Sequence, residues 1–103
     1  MHPITTNTEQ RDDSTDTAGA SNAAVLNLGD LRAAVDLFVE TSGTATLTVE
    51  VSATGEFNGE EHQADSLSVD STTAFEQYTF AYQYVRAYTD ANLTELEITS
   101  RGL

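Results

Sequence analysis

From Ala23 onward apolar and polar side chains alternate with a period of two, and the stretch around Thr44 to Ser52 shows it best. Ala45, Leu47, Val49 and Val51 fall on one face, while Thr44, Thr46, Thr48, Glu50 and Ser52 fall on the other. That is the pattern of a half-buried antiparallel strand rich in β-branched residues. Similar runs predict strands at 23–28, around Val35, Leu37 and Val39, a short one at Phe57 and another at Leu67–Val69. Two more are predicted near 74–80 and 82–88, and a last one through Leu93, Leu96 and Ile98, with Arg101-Gly102-Leu103 as a tail. Turns are predicted at Gly29-Asp30, Thr41-Ser42-Gly43, Ala53-Thr54-Gly55, Asn58-Gly59 and Thr89–Asn92, and a charged loop at Glu60–Asp65. Leu31-Arg32-Ala33-Ala34 suits one turn of helix and no more. About seven or eight short strands broken by frequent turns predict an all-β fold, an antiparallel sandwich of jelly-roll-like form.

Residues 1–22 depart from that pattern. Thr, Asn, Asp, Ser and Gln dominate, and only Met1, Pro3 and Ile4 offer packing surface, with Arg11 as the one cation. Such a segment buries too little to offset its ordering entropy. It is therefore read as an extended polar arm that docks on neighbouring subunits, ahead of a sandwich domain at 23–103. On this reading the sandwich stays folded when the arm is removed.

Charge changes the picture most. Of 103 residues, seventeen are acidic and four basic, for a net charge of −13. The four cations are Arg11, Arg32, Arg86 and Arg101, and lysine is absent. Abundant Asp, Glu, Thr and Ala without lysine resembles the proteins of extreme halophiles, whose surfaces work in molar salt. There the Debye length shrinks to about 3 Å and self-repulsion is screened. Scattered arginines make no basic stripe, which argues against nucleic acid. No polybasic anchor or apolar run of spanning length is present, so no membrane association or secretory signal is expected. Without cysteine, disulfides and thiolate metal sites are excluded.

Chemistry-bearing residues are sparse. His2 and His62 are the only histidines, and no Gly-x-Ser-x-Gly elbow accompanies them, so nucleophilic hydrolysis finds no footing. The chain reads as non-enzymatic, with no cofactor. Glu60, Glu61, His62 and Asp65 are weak metal candidates that lack the spacing of a calcium loop and the nitrogen or sulfur donors of a zinc site. Asp12, Asp13 and Asp16 suit diffuse counter-ions. Asn92-Leu93-Thr94 matches a glycan acceptor triplet at a turn.

Residues 74–88 hold six of the eight aromatics. Tyr78, Tyr82, Tyr84 and Tyr88, with Arg86 among them, admit two readings. They form one side of the core with hydroxyls at the rim, or they present an aromatic face to a protein or a sugar.

Two segments carry a resemblance: Phe38-Val39-Glu40-Thr41-Ser42-Gly43-Thr44-Ala45-Thr46-Leu47-Thr48-Val49-Glu50-Val51-Ser52, and Tyr84-Val85-Arg86-Ala87-Tyr88 through Leu96-Glu97-Ile98. Together they resemble small β-sandwich virion proteins of tailed viruses, over roughly residues 34–100. With the acidic composition, the resemblance implies a capsid decoration, turret or tail component of a haloarchaeal tailed virus. Its implied partners are the major capsid protein or tail components and further copies of itself, and its implied location is the virion, after synthesis in the host cytoplasm. The discoidin-like sugar-binding jelly roll shares the Val-Arg and Glu-Ile strands. The alternative is accordingly a tail or surface recognition module that binds host glycan or protein through its tyrosines.

Overall fold

The computed structural model describes residues 6–12, by their backbone alone, together with residues 23–29 and 33–102. Among these, every regular element is a strand: β1 (Thr6–Asp12), β2 (Ala24–Asn27), β3 (Ala33–Thr41), β4 (Thr44–Ser52), β5 (His62–Asp70), β6 (Thr73–Phe80), β7 (Tyr84–Thr89) and β8 (Leu93–Gly102). They form two four-stranded antiparallel sheets, ordered β1-β8-β3-β6 and β2-β7-β4-β5. The order has a simple origin. The chain behaves as one long hairpin, pairing β1 with β8, β2 with β7, β3 with β6 and β4 with β5, and successive pairs alternate between the sheets. Rolling that hairpin brings β8 beside β3 and β7 beside β4, which is the eight-stranded jelly roll.

Alternation decides what lies between the sheets. Ala45, Leu47, Val49 and Val51 of β4 are all buried, facing Val35, Leu37 and Val39 of β3 and Leu96 and Ile98 of β8. Two bulges adjust the register. Glu40 pairs with Glu95 but Thr41 pairs with Leu93, so Thr94 is an extra residue and both Leu93 and Leu96 turn inward. Val49 pairs with Asp65 but Glu50 pairs with Gln63, which leaves Ala64 unpaired in β5.

Several expectations are corrected here. The sandwich takes its first strand from within residues 1–22: Thr6–Asp12 runs along β8 from Arg101 to Glu95. Removing all of residues 1–22 would therefore strip β8 of its outer partner. Ala33 and Ala34 open β3 instead of a helical turn. The charged loop ends at Glu61, because His62 and Asp65 belong to β5. Phe57 sits in the β4–β5 loop and not in a strand. The expected tail at Arg101-Gly102 extends β8. A second aromatic strand is present but starts at Tyr84, leaving Tyr82 in the turn after β6.

The roll places the β2–β3, β4–β5 and β6–β7 loops at one pole. The β3–β4, β5–β6 and β7–β8 turns occupy the other. This distribution positions every group considered next.

Candidate functional site

On β7, Val85, Ala87 and Thr89 point into the core, so Tyr84, Arg86 and Tyr88 share the outer face of their sheet. The β4–β7 register sets Glu50 opposite Arg86. Arg86 Nε donates to Glu50 Oε1 at 2.7 Å, and each side chain is only 13% exposed. The cover comes from the β4–β5 loop. Phe57 lies over the guanidinium at 4.5 Å and Tyr88 lies against it at 5.3 Å. A cation held by a carboxylate and two aromatic rings is well stabilised but has no charge to spare for a ligand.

The loop is fixed at both ends. The buried Ser52 hydroxyl accepts from the Thr54 and Gly55 amides at 3.3 and 3.2 Å. Gly55 has φ +85°, and a Cβ there would approach the Tyr84 ring to 3.1 Å, so only glycine lets the loop lie this close. Further along, the Gly59 amide donates to the Glu61 carboxylate at 2.9 Å. Backbone N–H groups of Glu61 itself and Gly59 hold the Glu61 carboxyl below the ordinary carboxylate range, with Arg86 and His62 adding attraction.

The tyrosines divide. Tyr78 points inward from β6, packs against the core and stacks on Phe80 at 5.3 Å. Its hydroxyl donates to Asp65 Oδ2 at 2.7 Å, tying β6 to β5 across the open side of the sandwich. Tyr84 is half-buried beneath the loop at Gly55, and Tyr88 is half-buried beside Arg86. Tyr82, 40% exposed, stands at the loop pole with its ring tilted against His62 at 5.9 Å. The quartet and Arg86 thus never form one surface.

The weak metal candidates also part company. Glu60 accepts from the Thr54 hydroxyl, Glu61 caps Gly59, His62 meets Tyr82 and Asp65 holds Tyr78. Among the described residues no three His, Asp or Glu side chains gather as a cation site. Met1, Pro3, Ile4, Asp13 and Asp16 lie outside the described residues, while the backbone of Arg11 pairs with Leu96 in β1. At Asn92 (φ +55°) the acceptor amide Nδ2 already donates to the Thr44 carbonyl at 2.9 Å.

Sequence reasoning passed over Glu50, Phe57 and Gln83. Glu50 reads as one more solvated acid until the register puts Arg86 beside it. Gln83 lies in a cleft of about 420 Å³ at the loop pole, lined by Gly29, Ala53, Ala81, Tyr82 and Gln83.

Tyr78 gives a pH prediction. Burial, then the bond to Asp65 and the charges of Asp65 and Glu76, push its phenol well above the ordinary tyrosine value. The neutral phenol is therefore favoured in the folded state. Its contribution is complete below the unfolded pKa of about 10 and is lost as pH rises from there toward the higher folded value. Tyr78→Phe is expected to cost about 1 kcal/mol near neutral pH and to flatten the alkaline loss of stability. Urea unfolding followed between about pH 7 and 11 checks it, and equal alkaline slopes in both proteins would count against the latch.

No family model matches the chain, and no curated protein sequence does. Solved structures do match in shape. A protein of Bacillus endospore appendages, described as a novel family of disulfide-linked pili, is 16% identical and superposes over 96% of this chain and 87% of its own, with a TM-score of 0.58. The K1 cleaved adhesin domain of Lys-gingipain from Porphyromonas gingivalis W83 is 7% identical over 97% of this chain and 98% of its own, also at TM-score 0.58. At these identities the likeness is one of fold: a small two-sheet β-domain.

Proposed function

We propose that the chain is a non-enzymatic structural subunit of a surface assembly, in particular a decoration or turret component of a haloarchaeal tailed virion. The observation that carries this reading is the jelly roll shared across almost the whole chain with a pilus-forming appendage protein. Disulfide linkage of the kind named for those pili has no counterpart here, because the chain has no cysteine. Neighbours must be held by non-covalent contacts. Phe75, 59% exposed on the outer face of β6 opposite Phe38, supplies apolar area for packing against another copy. Residues 1–5 precede β1 and bring Met1, Pro3 and Ile4 to the shell or to a neighbouring subunit.

The test uses a truncation that spares the fold. Deleting residues 1–5 leaves β1 in the chain, so the protein should fold normally by circular dichroism yet fail to enter particles. Immunogold labelling of the producing culture should place the full chain on virion surfaces. Label confined to the cell interior, or normal incorporation of the truncated chain, would overturn the reading. An adhesive role is the second reading, favoured by the adhesin domain of the same fold and by the exposed ring of Tyr82. It predicts label on a tail tip or cell surface.

A further inference from the structure

The cleft at the loop pole combines features that the clamp on β7 lacks. Three loops build it, contributing Gly29 after β2, Ala53 after β4, and Ala81, Tyr82 and Gln83 between β6 and β7. Its backbone is fixed, since the Leu28 amide donates to the Gln83 carbonyl at 2.6 Å and the Gly29 amide to Asn27 Oδ1 at 2.9 Å. A volume of about 420 Å³ falls within the range of small-molecule pockets.

Its lining says what kind of molecule fits. Among the described residues no charged side chain lines it, so Gly29, Ala53, Ala81, Tyr82 and Gln83 offer neither a counter-ion for an anion nor a carboxylate for an amine. The nearest strong cation in the sheet below, Arg86, is consumed by Glu50 and covered by Phe57 and Tyr88. What remains is amphipathic. The methyls of Ala53 and Ala81 and the ring of Tyr82 offer apolar surface. Among the described residues the Tyr82 hydroxyl has no hydrogen-bond partner, and Gln83 spends its Nε2 there on long contacts of 3.4 and 3.5 Å to Asn27 and Tyr84. An uncharged ligand with one C–H face and a rim of hydroxyls satisfies both halves at once. A purely apolar ligand would leave the tyrosine and glutamine groups without partners and would lose affinity for it.

From this placement we infer that the loop-pole cleft is a binding site for a neutral saccharide, with the Tyr82 ring as its stacking platform and Gln83 as its hydrogen-bonding group. His62, tilted against Tyr82, sets the angle of that platform. The site stands independently of the assembly role, because every residue in it comes from one subunit.

Isotope-labelled full-length protein in about 2 M KCl, titrated with glucose, galactose, mannose and N-acetylglucosamine in turn, tests the assignment by amide shifts. At least one sugar should give saturable shifts at residues 29, 53 and 81–83, with millimolar affinity as for a small open site. Tyr82→Ala should weaken that binding about tenfold or more while keeping a dispersed spectrum. Phe75→Ala, an exposed aromatic far from the cleft, should bind as the parent does. Three results would each overturn the inference: no saturable shift with any of the four sugars, unchanged affinity in the folded Tyr82→Ala protein, or stronger shifts at the same amides with tetramethylammonium. None of them bears on particle incorporation, so the two proposals fail separately.

Discussion

Replacing Arg86 with alanine is expected to lower the unfolding free energy by about 2–4 kcal/mol, a large share of the ~5–15 kcal/mol typical of a domain. Two losses combine. Glu50, only 13% exposed, would lose its counter-ion, and leaving one partner of a shielded pair unmatched costs more than the pair itself contributes. Phe57 and Tyr88 would also lose the guanidinium they enclose, worth up to ~2 kcal/mol when desolvated. The β4–β5 loop should then lift, so its amides exchange faster with solvent. Arg86→Lys should recover about half the loss, since an ammonium restores charge but not the flat face between two rings. A cycle with Glu50→Gln separates the terms, with a coupling energy above about 1 kcal/mol expected. Coupling near zero, or an equal loss from the exposed Arg101→Ala, would show that the clamp contributes nothing specific.

That clamp also illustrates what a sequence can and cannot disclose. Period-two alternation in Thr44–Ser52 identifies a strand with one wet face, and the structure buries Ala45, Leu47, Val49 and Val51 accordingly. The partner of each wet residue is a different matter. Glu50 meets Arg86 only because β4 and β7, far apart in the chain, share a register fixed by the roll. Strands without apolar residues are harder still. Thr6–Asp12 pairs through its backbone along β8, and backbone pairing leaves no mark in side-chain hydropathy. The bulge at Ala64 had a similar effect, breaking the alternation in β5 so that a paired segment resembled a charged loop. Leu93 and Leu96, spaced as on a helix, both turn inward because Thr94 is an inserted residue. The aromatic run was recognisable as two strands, but the surroundings of each tyrosine were not. Tyr78 went to the interior, Tyr84 under a loop, Tyr88 beside Arg86 and Tyr82 to solvent, since two strands from opposite sheets and the turn between them share those fifteen residues.

Moving the protein from about 2 M to about 0.01 M KCl is expected to have the largest effect of all, lowering the thermal midpoint by at least ~10 °C. At the lower concentration the Debye length of about 30 Å exceeds half the longest dimension of the molecule, 44 Å, so nearly every carboxylate acts on every other. Two like charges 10 Å apart in water repel by about 0.4 kcal/mol. Summed over on the order of a hundred carboxylate pairs, that repulsion rivals the whole stability of a domain, and chain expansion relieves part of it. At about 2 M the range collapses to a few ångströms and the term vanishes. Urea must be the denaturant in the matching isotherms, because guanidinium chloride is itself a screening salt. If screening is the cause, tetramethylammonium chloride should protect as KCl does; a requirement for potassium would point instead to hydrated cations held by carboxylates. The Arg86→Ala penalty should stay nearly constant across the series, since that pair is shielded from solvent by Phe57 and Tyr88. A midpoint that stayed level or rose on dilution would contradict both the halophilic reading and the proposal that copies bearing a charge of −13 pack side by side.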